Sequence, residues 1–415
     1  MKITVKPSVL EGSVVAPRSK SQAHRVIIAA AFLGKTQVKI YGADKSDDVS
    51  ATIDCLKSLG VEILEKEDCL LVTPYVGGKK TAKLNARSSG TTLRFLLPIA
   101  AALGKSAEFI LNKDLKNRPI APLLDALTAN GVTVSGCTVS GKLKNGNFKI
   151  DGSLSSQFIS GLIFASAILG SGKIQVFGNR VSKGYIDMTI GVLKDFGVDV
   201  ITTDYGYEVV KSSRLPISEY FIEGDYSNSA FYLLSGALKG PLTVKGLNGE
   251  SEQGDKSILN VLKTAGAIEE ASGTDITVRR KELNAFTFDG EQTPDLVPLL
   301  AVFAAFLNGT TVIGGVERLK IKESDRISGI INILKQSKID CNYDGKVLTV
   351  EGGKPLGGVF YANNDHRIAI AATFLALFAE GDSVIEGAEC VNKSYPNFYD
   401  DIKRLGGLIN VDLER

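Results

Sequence analysis

The chain has 415 residues, 44% hydrophobic and 23% charged, and its 48 Lys+Arg against 46 Asp+Glu leave a net charge of +2. A single core rarely grows past roughly 250–300 residues, so this length calls for at least two domains. Near-neutrality excludes a strongly basic nucleic-acid platform and an acidic disordered tail, whereas glycine is over-represented, with 43 residues against a typical ~7%.

From the N-terminus, MKITVKPSVLEGSVV alternates apolar and polar residues as a strand does, and it lacks the apolar run and small-residue cleavage site of a secretion signal. The longest apolar stretches, 296–307 and 368–379, fall short of the roughly 18–20 residues of a bilayer span and predict buried helices. The chain is therefore expected in the cytoplasm, away from membranes. Cysteines 55, 69, 137, 341 and 390 are scattered and never form CxxC, which reads as reduced thiols. With His24 and His366 the only histidines, no metal site is expected.

Two marks then recur along the chain. A helix tail, a turn and a strand appear in LKSLGVEI, LTANGVTV, LKDFGVDV, LKTAGAIE, LKQSKID and IKRLGGL, with turn residues Gly60, Gly131, Gly197, Gly266, Lys338 and Gly406 spaced by 71, 66, 69, 72 and 68. An Ala/Leu-rich helix end followed by a glycine and a strand places Gly34, Gly104, Gly170, Gly240, Gly309 and Gly381 at 70, 66, 70, 69 and 72. Two independent marks sharing one period define six repeats. Glycine after a last helical turn is expected in the left-handed conformation. Each unit reads strand, helix, strand, helix, strand, hairpin, strand, with hairpins visible at VEILEKEDCLLVTP, VDVITTDYGYEVV and IDCNYDGKVLTV. The helices entering the Gly34-type turns are apolar nearly all round, so strands should lie outside and helices inside, the reverse of an ordinary α/β barrel.

The segments before the first helix of each unit are PRSKSQAHR, RSSGTTLRF, DGSLSSQFIS, EGDYSNSAFY, DGEQTPDLVP and ANNDHRIAI. Helix capping explains their Ser and Asp. It does not explain Lys20, Arg25, Arg94 and Arg367, nor Arg118, Lys322, Arg326 and Lys393 in the loops before the second helices. Cations at the positive end of a helix dipole are unfavourable unless an anion lies among them, so these eight predict bound phosphates or carboxylates. GKT at 34–36 and GKS at 104–106 lack the earlier glycine of a P-loop, and no GxGxxG follows a strand. Neither histidine lies in a nucleophile-elbow sequence, so acid–base work falls to carboxylates and lysines, with Asp225, Asp295, Glu323, Asp365, Lys20 and Lys393 as candidates.

In order and across the whole chain, KSQAHR, SSGTTLR, NRPI, SSQF, VSKGYID, TPD, KESDR, NDHR and NKSYPNF resemble the EPSP synthase (3-phosphoshikimate 1-carboxyvinyltransferase) family. The resemblance implies a two-domain inverse α/β barrel of six βαβαββ repeats, three per domain, with the active site in the interdomain cleft. On that reading residues 1–17 plus 226–415 form a discontinuous domain, 18–225 an inserted one, with hinges near 12–18 and 222–226. The resemblance further implies transfer of the enolpyruvyl group of phosphoenolpyruvate to the 5-hydroxyl of shikimate 3-phosphate through a tetrahedral intermediate. That is a step of aromatic amino-acid biosynthesis, run by a monomer with no cofactor and no nucleic-acid partner. Carried over by motif, Lys20, Gly90, Arg118, Gln157, Arg326, Arg367 and Lys393 would hold phosphoenolpyruvate. Lys20, Ser21, Arg25, Ser155, Ser156, Gln157, Ser182, Asp295 and Lys322 would hold shikimate 3-phosphate, with Tyr185 close by. Asp295 would take the hydroxyl proton, and Glu323, Lys393 and Lys20 would serve as the other catalytic groups.

Three positions depart from the commonest family pattern: Ser88-Ser89 before Gly90, Phe95 after Arg94, and Arg318. The sister enzymes that act on a UDP-amino sugar carry a cysteine shortly before an Arg-Pro pair, and the matching position before Arg118-Pro119 is Lys113. A repeat-built nucleic-acid clamp would want basic stripes interleaved with aromatics, and only 7% of residues are aromatic.

Overall fold

The structure, a computed structural model, describes residues 1–212 and 215–412. The chain divides into two compact units, one made of Met1–Pro17 and everything from Gly224 onward, the other of Arg18–Glu223. Each has its own hydrophobic core and three four-stranded sheets.

Five of the six sheets obey one rule. The strand that opens a repeat pairs in parallel with the strand after the first helix, which then pairs antiparallel with one arm of a hairpin. In the inserted unit Thr81–Arg87 runs parallel to Ser106–Leu111, and Phe148–Asp151 parallel to Gly172–Phe177. For the first repeat of that unit, the opening strand comes from its far end: Glu219–Phe221 pairs with Val38–Tyr41. The other unit closes likewise, with Gly12–Val15 against Leu242–Lys245. Its last sheet departs from the expected hairpin. Leu408–Asp412 pairs antiparallel with Lys2–Lys6, which also pairs with Ser383–Glu386. The two chain ends thus replace the sixth hairpin.

The helix after each opening strand is buried. In Ser156–Leu169 eleven of fourteen residues are buried, and the strands alternate, as in Leu84 and Ala86 pointing inward and Lys83 and Asn85 outward. In the inserted unit, Pro98 cannot donate to the Arg94 carbonyl four residues back. That carbonyl instead faces Gly161, where a Cβ would stand 2.3 Å away, so the helices Gly90–Ala102 and Ser156–Leu169 meet backbone to backbone. In the other unit three core helices interlock through phenylalanines. Phe374 lies 5.7 Å from Phe231 and 6.2 Å from Phe303, edge to face in both cases.

The first set of turn residues is left-handed throughout, including Lys338 at φ 59°. The second set is not. Gly104, Gly170, Gly309 and Gly381 have positive φ, whereas Gly34 and Gly240 sit at −58° and −50°. Glycine is needed at these two for space: a Cβ would approach the Ala30 or Gly236 carbonyl oxygen to 2.4 Å.

Candidate active-site residues

In the inserted unit, three buried helices start on serine caps. Ser19, Ser89 and Ser155 accept from the backbone N–H of Gln22, Thr92 and Gln157. These caps are neutral, so the positive helix ends keep their charge. Four cations stand around them. Arg25 is 2% exposed and donates only to neutral acceptors: Thr189 Oγ1 at 2.7 Å, Ser21 O at 2.7 Å and Tyr185 O at 2.8 Å. Its guanidinium lies 5.1 Å from the Phe95 ring centroid. Burial pulls Arg25 down to about 10, offset in part by Tyr185. Arg94 donates to Gln157 Oε1 at 2.7 Å, and Gln157 Nε2 donates to Thr91 Oγ1 at 2.9 Å, which fixes the amide. A Cβ on Gly90 would lie 2.7 Å from Arg94 Nη1 and 2.9 Å from Arg118 Nη1, so both guanidinia close on the first turn of that helix. Lys20 is paired with Asp48 at 2.8 Å. Ser182 is buried and left-handed at φ 52°, just ahead of the helix Lys183–Asp195. Ser88 Oγ donates to Asp114 Oδ1 at 2.9 Å.

The other unit is built differently. Asp225 and Asp365 cap their helices, accepting from Asn228 N at 2.8 Å and Arg367 N at 2.9 Å. The helix Val297–Ala304 has Pro298 in its first turn and no side-chain cap, which leaves the Asp295 carboxylate for other work. It meets Arg326, whose guanidinium is 1% exposed and held by three acids: Asp365 through Nε at 2.8 Å, Asp295 through Nη1 at 2.8 Å, and Glu323 through Nη2 at 2.8 Å. Lys322 Nζ and Arg367 Nη2 stand 3.7 and 3.6 Å from the two Asp295 oxygens. Burial by itself would raise the Asp295 pKa, but Arg326, Lys322 and Arg367 together hold it well below the ordinary carboxylate range. Burial lowers Lys322 to about 8 despite Asp295. For Arg326 burial is outweighed by Asp365, Glu323 and Asp295, and its pKa lies well above the usual value. Lys393 donates to Asn364 O at 2.7 Å. Arg318 donates to Glu291 O.

The eight cations therefore fall into two groups of four. Capping accounts for neither group, as the loops suggested, and part of the charge is met within the chain, at Lys20 by Asp48. In the second group the chain supplies its own anions, because Asp295, Glu323 and Asp365 converge on Arg326. Asp255, which sequence reasoning passed over, is buried, accepts from Ser227, and is raised to about 6 by burial and then by Asp295. Nothing in GDKS announces it. Among the described residues no group of three His, Cys, Asp or Glu side chains is arranged to hold a metal ion, and no helix is long and apolar enough to cross a membrane.

Two units of three sheets around buried helices form a fold shared with solved enolpyruvyl transferases. EPSP synthase from Acinetobacter baumannii superposes with a TM-score of 0.82 at 24% identity, covering 99% of this chain and 100% of that one. The enolpyruvyl transferase NikO from Streptomyces tendae gives 0.76 at 18% identity, with 99% and 98% covered. The sequence profile of EPSP synthase (3-phosphoshikimate 1-carboxyvinyltransferase) matches residues 5–402, and the chain belongs to that family. Relatives named 3-phosphoshikimate 1-carboxyvinyltransferase include those of Clostridium botulinum (strain Alaska E43 / Type E3), 37% identical over 421 aligned residues with 97% of each chain covered, and Clostridium kluyveri, 38% identical over 421 with 98% of each covered.

Proposed function

We propose that this chain transfers the enolpyruvyl group of phosphoenolpyruvate to the 5-hydroxyl of shikimate 3-phosphate, releasing phosphate. The hydroxyl oxygen adds to C2 while a proton goes to C3. The C2–O bond to phosphate then breaks and C3 gives up a proton, leaving an enol ether. Family membership supports the reaction, and one observation supports the chemistry: Asp295, an ionised acceptor, is held among Arg326, Lys322 and Arg367.

Phosphoenolpyruvate is assigned to Lys20, the Gly90 backbone, Arg118, Gln157, Arg326, Arg367 and Lys393. Shikimate 3-phosphate is assigned to Lys20, Ser21, Arg25, Ser155, Ser156, Gln157, Ser182, Asp295 and Lys322. Arg25 suits an anion best, because its partners are all neutral and two of its five N–H donors lie outside its three hydrogen bonds. Asp295, as it stands, is too weak a base to take a hydroxyl proton efficiently. Substrate anions that draw Lys322, Arg326 and Arg367 toward themselves remove the charges that depress it. Binding thereby raises the basicity of Asp295 at the moment it is needed. Glu323 and Lys393, with Lys20, handle the C3 proton and the bridging oxygen.

The deciding assay is phosphate release from phosphoenolpyruvate, expected only with shikimate 3-phosphate present. Release supported by UDP-N-acetylglucosamine and not by shikimate 3-phosphate would overturn this reading.

A further inference from the structure

His24 has no part in the reaction as just described, yet it is one of the most enclosed polar groups in the inserted unit. It lies one turn after Lys20 and immediately before Arg25, with 0% exposure. Its Nδ1 is 2.7 Å from Thr52 Oγ1, which is 2.7 Å from Thr92 Oγ1, which donates to Ser89 Oγ at 2.8 Å. Thr52, Thr92 and Ser89 are also at 0%. The chain of bonds runs through three helices, Lys20–Leu33, Asp47–Leu59 and Gly90–Ala102, and ends on the residue that caps the last of them.

Its direction follows from counting protons. Each hydroxyl has one to give. Thr92 gives its proton to Ser89 Oγ, with the Asp48 carbonyl 3.5 Å away as the other acceptor in reach, so it must accept from Thr52. Thr52 has then spent its proton and must accept from His24. The imidazole is therefore protonated at Nδ1 and bare at Nε2, the nitrogen that has no hydrogen-bond partner among the described residues. The opposite tautomer would bury an unsatisfied N–H donor instead and leave Thr52 and Thr92 competing for acceptors. Burial first, then the charges of Lys20 and Arg25, holds the ring pKa well below its ordinary value, so a second proton does not arrive to disturb the order.

The far end of the chain matters because of what Ser89 adjoins. Gly90 follows it, and the space a Cβ would take there is bounded by Arg94 Nη1 and Arg118 Nη1. We propose that His24, as the Nδ1–H tautomer, is a positioning residue whose hydrogen-bond chain through Thr52 and Thr92 locks the Ser89–Gly90 helix start and so places the Arg94 and Arg118 guanidinia for phosphoenolpyruvate. The tautomer follows from geometry alone, whereas the link to phosphoenolpyruvate rests on the reaction proposed above.

Two measurements separate these parts. In long-range 15N–1H spectra of histidine-labelled protein, which has only two histidines to resolve, His24 should show a protonated Nδ1 and a bare Nε2 from pH 6 to 8. An Nε2–H pattern, or a ring that titrates in that range, overturns the assignment whatever the enzyme catalyses. In kinetics, Thr52→Val removes the relay at nearly constant volume and should raise KM for phosphoenolpyruvate about tenfold, the effect of one lost hydrogen bond. KM for shikimate 3-phosphate should stay within twofold. His24→Asn, whose amide N–H falls near Nδ1, should restore the parent KM, and His24→Gln, whose N–H falls near Nε2, should not. Equal rises in both KM values, equal behaviour of the Asn and Gln variants, or a loss of melting temperature alone would refute the positioning role. Parent enzyme that releases no phosphate would refute the reaction and leave the tautomer to its spectrum.

Discussion

Arg326 Nε donates to Asp365 Oδ2 at 2.8 Å, with the two side chains 1% and 0% exposed. The same carboxylate caps the helix His366–Phe378, so one acid neutralises a buried cation and starts a core helix.

Removing it should therefore be severe. Asp365→Ala leaves Arg326 short of one of its three acids and exposes a helix end, a loss of roughly 3–5 kcal/mol for a broken buried pair. Asp365→Asn keeps a cap acceptor and should lose less. Thermal denaturation of both variants checks the order.

Gly90→Ala should fold, since the new Cβ meets the ends of two flexible side chains rather than backbone. It should nevertheless push Arg94 and Arg118 from their places and raise KM for phosphoenolpyruvate about tenfold, the cost of one displaced hydrogen bond. Steady-state kinetics at saturating shikimate 3-phosphate reads this directly.

Lys322 titrates at about 8, so the free enzyme loses a cation as pH rises through that value. On the reading above, kcat/KM for shikimate 3-phosphate should fall above pH 8, because that ratio reports groups of the free enzyme. Lys322→Arg should flatten the alkaline limb.

Asp255 is raised from 3.8 to about 6. A raised acid favours the folded state only while protonated: its contribution is complete below pH 3.8, declines as pH rises through 6, and above that becomes a penalty of about 3 kcal/mol. Asp255→Asn should accept from Ser227 as before and be more stable than the parent at pH 7. The gap should close toward pH 4, as thermal melts at the two pH values would show.

How much of this was legible beforehand depends on how local each feature is. Left-handed turns at Gly60, Gly131, Gly197, Gly266 and Gly406 were marked in the sequence, because a helix ends by rules that act within a few residues. The missing sixth hairpin was not. The partner of Leu408–Asp412 is Lys2–Lys6, some four hundred residues away in sequence. Gly34 and Gly240 show a similar limit: the residue type was right, but the reason is a close approach of backbone rather than a positive φ.

For the site, the sequence by itself determined the repeats, the caps and the identities of eight cations, since motif and spacing are properties of the chain. Only the tertiary structure decided which of those charges are already answered. Arg25 and Arg326 are both buried, and both lie within the first two turns of helices. Arg25 meets only neutral acceptors, whereas Arg326 meets Asp295, Glu323 and Asp365. The energy of a charge pair depends on separation and burial, and the loops carrying those three acids are brought to one point only when the buried helices of that unit pack.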